Sequence, residues 1–308
     1  MMQKRVKFDD NCVPASKDSL SNFPFLSSVV NSDMKPTILE TPILICDDTN
    51  SMATADVQTW LQFENLTLTN DDRSLILNPM GLLNDKVVFA AMLLCKRQFP
   101  DIKGLEDPIL CFAGLCNASS RAFVQIFNDS TKGHWVTASN HHCKDSQINI
   151  YCSLQLFPST DCIYSISKFA CLQSVEIELN INNVARQKDL LCGFYAIANC
   201  VTLCLGKDPC NFKYREDLMR QHLLTCLENY KITQFPVDSY RTVRKNVVRT
   251  SKYPLYCVCR SIFKSTDSMI QCLNCNEWFH SSCVGLSELM FTEYKASLRK
   301  VYKCIKCL

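Results

Sequence analysis

The last 52 residues carry Cys257, Cys259, Cys272, Cys275, His280, Cys283, Cys304 and Cys307, spaced C-x-C-x12-C-x2-C-x4-H-x2-C-x20-C-x2-C. Thiolate and imidazole are the borderline-soft donors that zinc prefers, and eight of them in close pairs suit two tetrahedral sites. Four protein ligands per ion leave no open position for a reactive water, so the chemistry is structural rather than catalytic. The histidine and the paired spacing favour zinc over an iron–sulfur cluster. A segment this small has too little apolar core to fold unaided, so bound metal must supply much of its folding free energy, typically about 10–16 kcal/mol per structural zinc.

A second chemistry is a thiol nucleophile. Cys192 opens a run to Leu205 that is apolar on nearly all sides, which predicts a central buried helix ended by Gly206. Unpaired N–H groups at such a helix start favour a thiolate. The histidines are His134, His141, His142, His222 and His280. With His280 assigned to zinc, His134, beside Trp135 at the start of a predicted strand, is the partner that geometry could bring to Cys192. On residue types alone, Cys192 reads more readily as one more core thiol.

These residues need a scaffold, and 308 residues with 47% apolar content provide ample core for one medium domain and a small one. The formal charge of +3 falls to near zero once seven thiolates and two zinc ions are counted, which argues neither for nor against nucleic acid. Twenty-one cysteines invite a secreted disulfide reading, but the opening MMQKRVKFDD has no apolar h-region, and a reducing compartment is expected. The cysteines outside the finger are expected to be mostly small buried hydrophobes. The longest apolar stretch, Val87 to Cys95, is far short of a bilayer span, so no membrane segment is expected.

Residues 1–55 show no sustained period and read as extended or partly disordered; 56–240 alternate helical and strand-like segments in one α+β domain; 241–253 carry Arg241, Arg244, Lys245, Arg249 and Lys252 without acid and predict a basic linker; 254–308 hold the finger. Asn84-Asp85 predicts a helix cap leading to about Gln98, and His134–Asn140 with Gln147–Leu154 predicts a hairpin that brings residue 152 within reach of His134. A last helix is predicted from Tyr214 to Tyr230, with Leu218, Met219, His222, Leu223, Cys226 and Leu227 inward.

From Tyr256 onward the chain resembles a PHD finger, with every ligand present. The resemblance implies cross-brace ligation, with Cys257, Cys259, His280 and Cys283 on one zinc and Cys272, Cys275, Cys304 and Cys307 on the other. It also implies binding of a histone or other protein tail, including methyl-lysine in an aromatic cage, for which Tyr256, Met269 and Trp278 occupy the matching positions. Leu273 departs from the acidic residue that such tail readers often carry after this cysteine. Trp278 reads alternatively as a packing residue, and Lys295, Arg299, Lys300, Lys303 and Lys306 could touch phosphate or simply solvate the surface.

Leu83-Asn84-Asp85, Lys96 to Pro100 with Gly104-Leu105, His134-Trp135, and Gln187 ahead of Cys192-Gly193-Phe194 resemble the Ulp1-like proteases of ubiquitin-like modifiers, specifically divergent, mobile-element-derived relatives joined to a PHD finger. The resemblance implies a papain-like cysteine-protease-type domain followed by a small cross-brace finger. In it Cys192 would be nucleophile, His134 base and Gln187 oxyanion donor, with a ubiquitin-like modifier as partner. The match breaks at the acid: relatives tend to read Tyr-Asp-Ser where this chain reads Tyr151-Cys152-Ser153, and Leu191 replaces an aspartate before the nucleophile. Asp145 and Asp161 are substitute acids to consider, and a Cys152–Cys192 disulfide is a further alternative. The expectation is a two-zinc, tail-binding finger on an impaired protease domain, in the nucleus or otherwise the cytoplasm. The alternatives are an active peptidase using Cys192 and His134, or a structural zinc module on a scaffold.

Overall fold

Along the segment Phe123–Asp129, Phe123 and Phe127 project to one face and Val124 and Ile126 to the other, and all four are buried. A strand apolar on both faces must lie inside a sheet covered on both sides. The computed structural model describes residues 58–116, 122–141, 143–243, 245–297 and 300–308. The region 1–55 read as extended, and His142, Arg244 and Arg299, lie outside the described residues.

The elements run β1 (Thr59–Phe63), β2 (Leu66–Thr69), α1 (Asn70–Leu77), α2 (Asp85–Gln98), β3 (Lys103–Gly104), α3 (Pro108–Phe112), β4 (Phe123–Asp129), β5 (His134–Ser139), β6 (Gln147–Tyr151), α4 (Thr160–Ala170) and β7 (Glu176–Asn182). There follow α5 (Cys192–Cys204), β8 (Phe212–Tyr214), α6 (Glu216–Glu228), β9 (Val237–Tyr240), β10 (Val247–Pro254), β11 (Met269–Gln271), β12 (Trp278–His280) and α7 (Glu288–Ala296). Six strands form the main sheet in the order β10-β7-β6-β5-β4-β3. Helices α2, α5 and α6 build a core with Val124, Ile126 and Trp135 on one face. On the other, Ile163, Ile166 and Phe169 of α4 pack on Phe123, Phe127, Val136, Ala138, Ile148 and Ile150.

The predicted caps and hairpin are present. Asn84 accepts the Val87 N–H at 3.0 Å and starts α2. Strands β5 and β6 pair antiparallel through Thr137↔Tyr151 and Ser139↔Asn149. Gly133 closes the preceding turn at φ 57°, a left-handed conformation cheap only for glycine.

Three local readings change. Tyr214 belongs to β8, so α6 starts at Glu216; Leu218 is exposed, while Met219, Leu223, Leu224, Cys226 and Leu227 are buried and His222 is half-buried against Phe235. β6 stops at Tyr151, and Leu154 is exposed beyond it. The charges of 241–253 predict a solvated linker, but the structure lays most of this stretch into the sheet. Strand β10 pairs antiparallel with β7 from Val247↔Asn182 to Pro254↔Glu176. An edge strand keeps one side in water and tolerates Arg and Lys, which hides it from a hydrophobicity count. Lys252 meets Glu176 at 2.8 Å, and Arg241 donates to the Asn183 carbonyl at 2.7 Å.

β10 runs directly into the finger, and the two regions share one compact unit. Leu255 and Ile262 are buried in the α4 core, and the Ile262 N–H donates to Ser167 Oγ at 3.3 Å. Lys264 Nζ reaches Asp161 at 2.6 Å and lies 4.8 Å from the Tyr164 ring centre. The finger is thus seated on α4 by two buried side chains, while its exposed ion pair adds little. Replacing Ile262 with alanine is expected to cost about 2–4 kcal/mol in denaturant unfolding, and a loss below about 0.5 kcal/mol would refute this seating.

Candidate metal centre and thiol site

In the finger, tight turns and a two-stranded ribbon collect the ligands. Cys257, Cys259, His280 and Cys283 bring their donor atoms within 4.8 Å of one another, and so do Cys272, Cys275, Cys304 and Cys307. This is the alternating assignment that cross-brace ligation requires. His280 Nδ1 faces the sulfurs, 3.3 Å from Cys259 and 3.9 Å from Cys283. Its other nitrogen, Nε2, lies 3.3 Å from the Asp267 carboxylate. A carboxylate behind the imidazole fixes the tautomer and presents Nδ1 as a metal donor. Backbone N–H groups support the sulfurs: His280 donates to Cys257, and Cys304 donates to Cys272, each at 3.3 Å. The donor set therefore fits zinc, held by thiolates and one imidazole in a closed shell.

The residues proposed for the cage sit around the ribbon. Met269 pairs with His280 and Gln271 with Trp278, so Met269 and Trp278 are diagonal neighbours on one face. Tyr256 precedes Cys257, whose N–H donates to the Trp278 carbonyl at 2.8 Å. All three are half-buried, whereas Leu273 is exposed.

At the thiol site, the β5–β6 register carries Cys152 beside His134, with Sγ 3.3 Å from Nε2. The third residue, Cys192, is the first of α5; its N-cap, Leu191, supplies no side-chain acceptor. Backbone groups of Trp135, Gly193 and Cys192 itself act on the Cys192 thiol. The site is closed: Cys192 is 4% exposed, His134 6% and Cys152 1%. Leu83 roofs it, its carbonyl accepting the Trp135 indole N–H at 3.1 Å; a Cβ on Gly193 would come within 3.0 Å of the Leu83 side chain.

Burial dominates the electrostatics. It pushes the Cys192 and Cys152 thiols above their ordinary range and lowers His134 to about 4, against an opposing pull from Asp129. At neutral pH the three groups are therefore a thiol, a neutral imidazole and another thiol, and transferring a proton from Cys192 to His134 is uphill. Cys152 can donate to Nε2 or accept from it, so it does not impose one tautomer as a carboxylate does. Both cysteines are free thiols rather than a disulfide.

The two candidate substitute acids lie elsewhere. Asp145 is exposed in the β5–β6 turn, at the opposite end of β5 from His134, and Asp161 faces Lys264. The carboxylate that does face this region is Asp129, which pairs with His134 across the β4–β5 hairpin. Its oxygens are already taken by the Ser159 N–H at 2.7 Å and hydroxyl at 2.6 Å. A tight Asp-Ser-Thr-Lys-Gly turn before His134 was the available signal for that pairing. Gln187 donates its amide to the Asp189 carbonyl at 2.7 Å and accepts from Ser153 Oγ, which holds it in the loop before α5.

The comparisons with known proteins divide along the same line. Residues 252–308 match the family model for the Pygopus PHD-type zinc finger. A histone lysine demethylase, PHF8, of Danio rerio is 43% identical over 54 residues, 18% of this chain and 5% of that protein. Multicopy suppressor of chk1 protein 1 of Schizosaccharomyces pombe is 39% identical over 61 residues, 18% of this chain and 4% of that protein. The chain thus spans about one twentieth of the length of the curated relatives it matches. Among solved structures, the SUMO protease Ulp1 with its catalytic cysteine oxidized to a sulfenic acid is similar at 17% identity and TM-score 0.44, over 56% of this chain and 89% of that chain. The catalytic domain of a Chaetomium thermophilum Ulp1-like SUMO protease is 20% identical at TM-score 0.41, over 54% of this chain and 80% of that one. The C-terminal segment is a PHD-type zinc finger, preceded by a mixed α+β domain.

Because the folded value of His134 lies below its ordinary 6.5, the unfolded chain takes up the proton first as pH falls. The stability present above pH 6.5 should therefore drain away toward pH 4, by up to about 3 kcal/mol, and level off below. Denaturant titrations from pH 7 to pH 4 should show this loss in the wild type and not in His134→Gln. Equal slopes for the two proteins would contradict a buried neutral imidazole.

Proposed function

We propose that the protein is a nuclear reader of histone or other protein tails, whose finger holds two zinc ions, joined to a Ulp1-like domain that has lost efficient peptidase activity. The observation that carries the second half is Cys152 Sγ standing 3.3 Å from His134 Nε2, where the hydrogen-bonded acid of a nucleophile–histidine–acid triad would stand. A neutral thiol there neither orients the imidazole nor stabilises an imidazolium. The closed, neutral state of Cys192 and His134 supports the same reading. In this reading the domain binds a ubiquitin-like modifier without cleaving it.

For the finger, the reading rests on the complete ligand sets and on Met269 and Trp278 as diagonal neighbours on the ribbon, with Tyr256 just ahead of the first ligand. Aromatic faces attract a quaternary ammonium, and Met269 adds an apolar wall. An exposed Leu273 in place of an acid favours a tail whose affinity comes from the cage rather than from an arginine or lysine partner at that point.

Two experiments test the two halves. With a ubiquitin-like modifier bearing an electrophilic C-terminus, wild type should label slowly or not at all, while Cys152→Asp should gain labelling that Cys192→Ala abolishes. In a serine triad the acid is worth about 10^4 in turnover, and a smaller gain, on the order of 10^2, is expected for an intrinsically more nucleophilic thiol. Rapid labelling of wild type at Cys192 would instead establish an active peptidase. On a histone-peptide array, Trp278→Ala should weaken binding of trimethyl-lysine peptides roughly tenfold to thirtyfold. Equal binding by wild type and variant would remove the cage.

A further inference from the structure

A third set of ligand-type side chains lies far from the finger. Cys95 on α2 and Cys200 and Cys204 on α5 bring their sulfurs within 4.8 Å of one another. Cys200 and Cys204 are four residues apart and share one face of α5, while Cys95 comes from the last turn and a half of α2, packed against it. All three are buried in the core between these helices. Three thiols gathered this closely can share one ion.

We propose that Cys95, Cys200 and Cys204 form a third binding site for a thiophilic metal ion of the zinc class, which staples α2 to α5. With Zn–S bonds of about 2.3 Å, tetrahedral sulfurs stand about 3.8 Å apart, so the thiols need only a small contraction to ligate one ion. Both helices end near the cluster, and their carbonyl ends favour a cation there. Among the described residues, no fourth ligand atom completes the group as it stands. The fourth position is left to a solvent ligand. Binding displaces the thiol protons to solvent as the metal–sulfur bonds form, so affinity should rise with pH.

The readout is the metal count of the full chain by native mass spectrometry in added Zn2+, compared between wild type and Cys200→Ser/Cys204→Ser. The proposal expects one zinc fewer in the variant, with the finger's own complement unchanged, and an apparent affinity for the extra ion that falls several-fold per pH unit below neutrality. Should the double variant fail to fold, Cys204→Ser, which alters the most exposed of the three at 7%, serves for the same comparison. Equal counts in wild type and variant overturn the site. So does a disulfide among these three residues in peptide maps of the native protein.

Discussion

Ligation of thiolates in the C-terminal segment is the constraint on which the finger depends. Its buried cluster consists of Cys257, Cys272, Phe279 and Cys304, so three of its four members are ligands rather than ordinary apolar side chains. Without a cation, that centre would be a knot of thiols around one phenylalanine ring, with too little apolar area to offset the entropy of ordering the segment. The turns carrying Cys257 and Asn276 at positive φ are conformations that ligation can enforce. Asp267 extends the constraint outward by holding His280 from behind and accepting the Lys264 N–H.

That constraint reaches the larger domain through backbone rather than through a flexible tether. β10 leaves the sheet at Pro254; Leu255 and Ile262 enter the α4 core, and Lys264 follows to Asp161 on the first turn of α4. The N-cap of the same helix, Ser159, holds the carboxylate of Asp129 opposite His134. The finger and the thiol site thus share one helix, and a finger so seated presents its ribbon in one orientation to the α+β domain.

In the thiol site, burial sets the charge. Strands β5 and β6 bring Cys152 beside His134, and Cys192 stands at the start of α5. With Cys152 beside the imidazole and nearly all surface removed from water, burial outweighs the nearby Asp129 and the helix-start N–H groups, and every group stays neutral. Asp129 is turned to Ser159, the N-cap of α4, whose N–H and hydroxyl its two oxygens accept.

The sequence by itself determined whatever depends on residue type at short spacing: the eight zinc donors, the Asn84 cap of α2, the α5 run, and the β5–β6 hairpin that puts Cys152 beside His134. These features are local, so periodicity and spacing encode them directly. Only the tertiary structure decided which distant groups meet. It placed 241–253 largely on a sheet edge, where exposed Arg and Lys mask a strand; it set Asp129 rather than Asp145 or Asp161 opposite His134; and it drew Cys95 to Cys200 and Cys204 across more than a hundred residues. Such meetings follow from strand order and helix packing, which one chain's local pattern does not specify.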